Sequence, residues 1–79
     1  MRNKLDKNLV LLGERIRHMR QKCRLSQEKL AFDAGLDRSY LGGIERGERN
    51  ITFHSLCLIA QALKTDVGSL TTGLPRSER

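Results

Sequence analysis

The sequence has no tryptophan, a single proline, a single tyrosine and two phenylalanines, so aromatic residues make up 4% of its 79 positions. A core built from such a chain is aliphatic, drawn mainly from leucine, isoleucine and alanine. Long hydrophobic runs are missing too, since nothing approaches the ~20 apolar residues needed to span a bilayer. The opening MRNKLDKNLVLL is basic, but its apolar run LVLL is far shorter than the ~7–15 residues of a secretory signal core. A cytoplasmic protein with no membrane partner is expected. Cys23 and Cys57 are too few for a disulfide scaffold and lack the paired spacing of a zinc site. They read as small core or boundary residues. His18 and His54 have no partner pattern for a metal and read as surface residues; neither a metal nor another cofactor is expected. No nucleophile–base arrangement, glycine-rich phosphate loop or paired-carboxylate signature occurs, which argues against an enzyme.

What the sequence does have is positive charge. Fifteen Lys and Arg against nine Asp and Glu give a net charge of +6 and a pI near 10.0. That excess favours a polyanionic partner, nucleic acid or an anionic membrane, over a basic domain with no such target. A membrane-surface role would need an apolar face left open to lipid, and the apolar faces here are consumed by the core. At this length the chain is one domain, near the lower limit for an independent core.

One stretch organises the rest: LSQEKLAFDAGLDRSYLGGIERG, from Leu25 to Gly47. Ser26 is placed to cap a helix by accepting an orphaned backbone N–H. Leu30, Ala31 and Ala34 follow at helical spacing, and Gly35 suits the left-handed conformation that ends a helix. Asp37 or a neighbour can cap the next helix, on which Leu41 and Ile44 share a face. Two short helices joined by a tight turn, with small residues between them, form the unit that places a helix in the DNA major groove.

The remaining periodicities supply support. Leu9, Leu12, Ile16, Met19 and Cys23 make the apolar stripe of a helix over about residues 9–22. Thr52 is set to cap a helix with Leu56, Ile59, Ala60 and Leu63 inward, and Ile51 to staple it. Phe53 and Leu58 lie partly off that stripe, which marks one of them as a contact outside the monomer core. Asp66 is set to cap a short last helix holding Val67 and Leu70, weakened by Gly68. The fold class is all-α, a compact five-helix bundle with a central helix–turn–helix at about residues 26–47. Residues 1–8, with Arg2, Lys4 and Lys7, read as a basic arm. Residues 9–71 read as the DNA-binding domain, and 72–79 as a flexible tail.

Laying the second helix of the unit out at 100° per residue puts Ser39, Gly43 and Arg46 opposite Leu41 and Ile44. Arg38 and Tyr40 stand at its N-terminal end. Recognition helices read bases mainly there, and the Arg38 fork matches O6 and N7 of guanine. Gly42 and Gly43 sit mid-helix, where each costs about 0.8–1 kcal/mol relative to alanine. Three accounts remain open: backbone approach to the groove, close approach of another protein element, or simple tolerance. Gln27, in the first turn of its helix, is placed either to grip a phosphate beside free N–H groups or to stand as an exposed capping-turn residue. Arg46, Arg49 and Asn50 leave the recognition helix together as candidate DNA contacts. Arg20 and Glu45 lie at the margins of apolar stripes, where an ion pair would tie the first helix to the recognition helix.

At LSQEKLAFDAGLDRSYLGGIERGERNIT the chain resembles the Cro/CI-type (XRE-like) helix–turn–helix family of phage repressors and bacterial regulators. The matching residues are Leu25, Gln27, Leu30, Ala31, Gly35, Leu41, Ile44, Glu45 and Gly47. The segment DRSYLGGIERGERNIT is more similar still to the controller proteins of restriction–modification systems. The resemblance implies a lambda repressor-like five-helix fold and a symmetric homodimer on pseudo-palindromic operators in double-stranded DNA. It implies that Gln27 anchors phosphate, that Arg38, Ser39, Tyr40 and Gly43 face the groove, and that Arg49 and Asn50 join them. Arg20 and Glu45 fall where the family forms its structural ion pair. Controller proteins activate and repress, timing endonuclease behind methylase expression, which makes RNA polymerase a further candidate partner. One departure stands out: Asp66, Val67, Gly68, Ser69 and Leu70 are thin for the apolar dimer contact usual at the fifth helix. Phe53, Leu58 and the tail are candidates to supplement it.

The expected function is that of a sequence-specific transcriptional regulator in a bacterium or phage, working at the nucleoid as a restriction–modification controller. A phage or prophage repressor of the same fold is the alternative within that class. An antitoxin-type protein-binding module is the alternative from another class, and TTGLPRSER is short for its toxin-binding segment.

Overall fold

Capping residues mark where each helix starts. The structure, a computed structural model, describes residues 5–76. Within them the chain forms α1 (Lys7–Lys22), α2 (Gln27–Ala34), α3 (Arg38–Glu45), α4 (Phe53–Ala62) and α5 (Val67–Thr71), with no strand among the described residues. Ser26 Oγ accepts from the Lys29 N–H at 2.9 Å, Thr52 Oγ1 from Ser55 at 3.0 Å and Asp66 Oδ1 from Ser69 at 2.8 Å. Each such cap contributes about 1 kcal/mol. Gly35 closes α2 in the left-handed conformation, φ 71°. Asp37 occupies the N-cap position of α3 but its side chain makes no capping bond.

Two boundaries differ from the sequence reading. α1 begins at Lys7 because Asp6 Oδ1 accepts from the N–H groups of Asn8 and Leu9 at 2.8 and 3.1 Å. The segment read as an arm through residue 8 therefore ends at its cap, while Arg2 and Lys4 lie outside the described residues. At the other end, residues 72–76 do not trail away. Leu74 packs against the core, and the Arg76 N–H donates to Asn8 Oδ1 at 2.8 Å. The last three residues of the expected tail lie outside the described residues.

The core is aliphatic, as the shortage of aromatics requires. Leu12, Ile16, Leu30, Ala31, Ala34, Leu41, Ile44, Leu56, Ile59, Ala60, Leu63 and Leu70 are buried. Fully burying one such leucine or isoleucine contributes roughly 1.5–3 kcal/mol. α1 packs on α3 and α5, α2 on α3 and α4, and α4 on α5. Cys23 departs from the expected stripe, because the turn after Lys22 leaves it exposed; Cys57 is half-buried. The α1–α3 crossing rests on a residue that periodicity did not single out. A Cβ on Gly13 would collide with the backbone carbonyls of Ile44 and Glu45. Gly47, at φ 77°, seals the same crossing, and a Cβ there would lie 2.7 Å from Val10 Cα. These two glycines set how closely the exit of α3 approaches α1.

Candidate nucleic-acid interface

The inner end of α3 is fixed by a buried carboxylate. Glu45 is 4% exposed and receives Arg20 in a fork, Nε to Oε2 at 2.7 Å and Nη2 to Oε1 at 3.0 Å. Arg20 also donates from Nη1 to the Leu25 carbonyl at 2.8 Å, so its guanidinium spans α1, the turn before α2, and α3. The ion pair expected at the stripe margins is therefore present, and it is bidentate. Desolvation offsets much of the attraction in a buried pair, so its main consequence is a defined orientation of α3.

From Glu45 a polar chain runs outward to the surface. Gln27 Nε2 donates to Glu45 Oε1 at 3.0 Å, and Gln27 Oε1 accepts from Arg38 Nη1 at 2.7 Å. Arg38 is exposed at the first position of α3. Its direction is thus tied through one amide to a carboxylate that cannot move without breaking the α1–α3 contact. The amide of Gln27 has one N–H committed to Glu45, and its second, with the helix N–H groups beside it, is what remains for an external anion. Spacing alone did not reveal this chain, since it needs α1, α2 and α3 in place together.

The rest of the candidate surface divides into open and covered positions. Ser39 is exposed on α3, and Asn50 is exposed in the loop that leaves it. Arg46 is exposed at the C-cap and pairs with Glu48 at 3.0 Å. Tyr40 is half-buried, not standing free at the helix end. It packs against the core and its hydroxyl donates to Ser55 Oγ at 3.2 Å, turned inward. What Tyr40 presents outward is a ring face, and the Arg49 guanidinium lies over it at 5.5 Å. Gly43 is buried, although the helical wheel points it outward. A Cβ on Gly43 would lie 2.7 Å from Arg49 Cγ, so the arginine stem passes directly across this glycine. Of the accounts open for Gly43, close approach of another protein element is the one with atoms in place.

Three arginines consequently share one surface at the outer side of α2 and α3: Arg38, Arg46 and Arg49. Hydrogen-bonding forks on an exposed helix beside a helix N-terminus suit phosphate and base edges. Among the described residues, no three His, Cys, Asp or Glu side chains group to hold a metal ion. No helix among them is long and apolar enough to cross a membrane.

A family model described as "Helix-turn-helix" matches residues 16–70. Control protein C.SmaI of Serratia marcescens is 47% identical over 62 residues, 78% of this chain and 74% of that protein. The crystal structure of the restriction–modification controller protein C.AhdI from Aeromonas hydrophila superposes with a TM-score of 0.81 at 46% identity. The match covers 82% of this chain and 98% of that one. The controller protein C.Esp1396I, solved as a tetramer with its natural 35 base-pair operator, gives a TM-score of 0.77 at 35% identity over 82% of this chain and 86% of that chain.

Proposed function

The chain belongs to the helix–turn–helix family, on the branch of the restriction–modification control proteins, and on that premise we propose that it is a sequence-specific regulator of transcription that binds operator DNA. The observation that carries this reading is Arg38 at the N-terminus of α3, held by Gln27 against the buried Glu45. A base-reading arginine needs its fork aimed before DNA arrives, and this chain of bonds aims it. Arg38 reads a guanine edge; Gln27 with the α2 N-terminus takes a phosphate; Ser39, Arg46, Arg49 and Asn50 complete the contact surface, with Tyr40 and Gly43 beneath Arg49.

The protein acts as a homodimer in this reading, because operators of the family are pseudo-palindromic. Leu58, Ala62 and Val67 of α4 and α5 are half-buried apolar residues packed at the edge of the core, and Phe53 at the start of α4 is 70% exposed. They supplement the short α5, whose fully buried Leu70 is spent on the core. The regulator works in the cytoplasm, and activation beside repression calls for a contact with RNA polymerase.

Selection of bound duplexes from random DNA tests the proposal. The expected product is a two-fold symmetric site with half-sites about 10 base pairs apart, or a multiple of that. Log affinity should fall with log salt at about −0.9 per neutralised phosphate. A monomer that ignores duplex DNA at low salt would overturn the reading. Adjacent methyltransferase and endonuclease genes would support the controller role over that of a phage repressor, and transcription with purified RNA polymerase would test activation.

A further inference from the structure

We propose that Gly43 and Tyr40 form a seat that holds Arg49 ready on the reading face, and that the absence of a side chain at Gly43 serves this arginine and not the DNA. The proposal rests on the DNA-binding reading above. Arg49 is six residues beyond Gly43, in an exit loop that begins once α3 has ended. The loop turns back on the helix, with the Glu48 N–H donating to the Gly43 carbonyl at 2.8 Å. That bond brings the next residue across α3. The Arg49 stem then lies on the glycine, where a Cβ would stand 2.7 Å from Cγ and 3.2 Å from Nε. Beyond it the guanidinium rests over the Tyr40 ring at 5.5 Å, a cation on a π face. The ring itself is held from below by the bond from its hydroxyl to Ser55, which Thr52 Oγ1 also reaches at 3.0 Å.

The seat has a physical use. An exposed arginine in a loop samples many rotamers, and immobilising it on binding weakens association. One held beforehand avoids that loss. Substituting alanine at Gly43 separates the possible reasons for the glycine. The alanine methyl displaces the first carbons of Arg49, which is free to swing into solvent, so the fold survives. Alanine is also the better helix former.

The experiment is a double-mutant cycle of Gly43→Ala and Arg49→Ala, read by operator affinity, with melting temperature and side-chain NMR of the DNA-free proteins. In the free protein, Arg49 side-chain protons should be shifted upfield by the ring current of Tyr40, the one tyrosine of the chain. That shift should vanish in Gly43→Ala, with the melting temperature unchanged or raised. Operator affinity should fall by roughly three- to tenfold per subunit, the scale of ordering one long side chain. In the Arg49→Ala background the same glycine substitution should be silent. Equal weakening in both backgrounds would overturn the seat and assign the bare backbone to groove approach. An Arg49 ring-current shift that persists in Gly43→Ala, or an affinity that does not change, would overturn it too. A wild-type protein that binds no duplex would instead sink the DNA-binding reading, and the seat's purpose with it.

Discussion

Two arginine–glutamate pairs flank the end of α3, and their shortest contacts are nearly the same length, although the first is a two-bond fork and the second a single bond. Arg20 meets Glu45 at 2.7 Å and Arg46 meets Glu48 at 3.0 Å, both through Nε. Their surroundings differ. The first pair has side chains 12% and 2% exposed, the second 59% and 49%. Coulomb attraction at these distances is several-fold stronger away from water, and so is the penalty for an unpaired charge. The buried pair is therefore costly to break and orients a helix, whereas the exposed pair contributes little and leaves Arg46 available to a partner. A short distance alone does not identify a structural ion pair; burial does.

Glu45→Ala tests the buried side and should have the largest effect. Removing one partner strands the Arg20 charge and should cost about 3–5 kcal/mol in denaturant unfolding. Operator binding should fall as well, because Gln27 loses its inner anchor. A loss below about 1 kcal/mol would erase the contrast between the pairs. Arg38→Ala comes next. It should leave the melting curve nearly unchanged and remove about 1–3 kcal/mol of discrimination at a single base position, read by binding to a panel of site variants. A uniform loss across all sequences would instead assign Arg38 to phosphate.

Glu48→Gln tests the exposed side. Stability should stay within about 0.5 kcal/mol of the parent, since surface pairs contribute little. A larger loss would mean that exposure is a poor guide to these pairs. The smallest expected effect concerns acid. Asp66 is exposed, and the N–H and hydroxyl of Ser69 hold its carboxyl below the usual carboxylate range. Its folded pKa being the lower one, the stabilisation is complete above the unfolded pKa and is lost as pH falls through the folded value. Asp66→Asn should make the acid limb of the stability curve slightly shallower while keeping the cap, as pH-dependent thermal melts would reveal.

Much of this architecture could be read before any tertiary structure. The caps at Ser26, Thr52 and Asp66 take their N–H groups from three residues along the chain. Such bonds are local, so the residue types announce them. The aliphatic stripes were legible for a similar reason, as helical periodicity places them on one face whatever they pack against. Arg20 and Glu45 were legible because charge at the margins of two stripes has few other places to go. At the two ends, α1 starts two residues earlier than the apolar stripe indicated, and Leu74 returns to the core. The cap at Asp6 and a single leucine beyond α5 carry no periodic signal.

What only the tertiary structure decided involves residues that meet across elements. Gln27 carries its amide on α2, but its position between Glu45 and Arg38 depends on the α1–α3 crossing, and that crossing depends on Gly13 having no side chain. Tyr40 and Gly43 both looked open on the helical wheel. Ser55 of α4 turns the one inward, and Arg49 of the exit loop covers the other. Periodicity describes one helix in isolation, so it cannot say which outward positions a returning loop will occupy. The sequence by itself determined the helices, their inner faces and the basic surface. Which arginine is fixed, which is held over a ring and which stays open follows from packing, because burial and close approach are properties of three elements together.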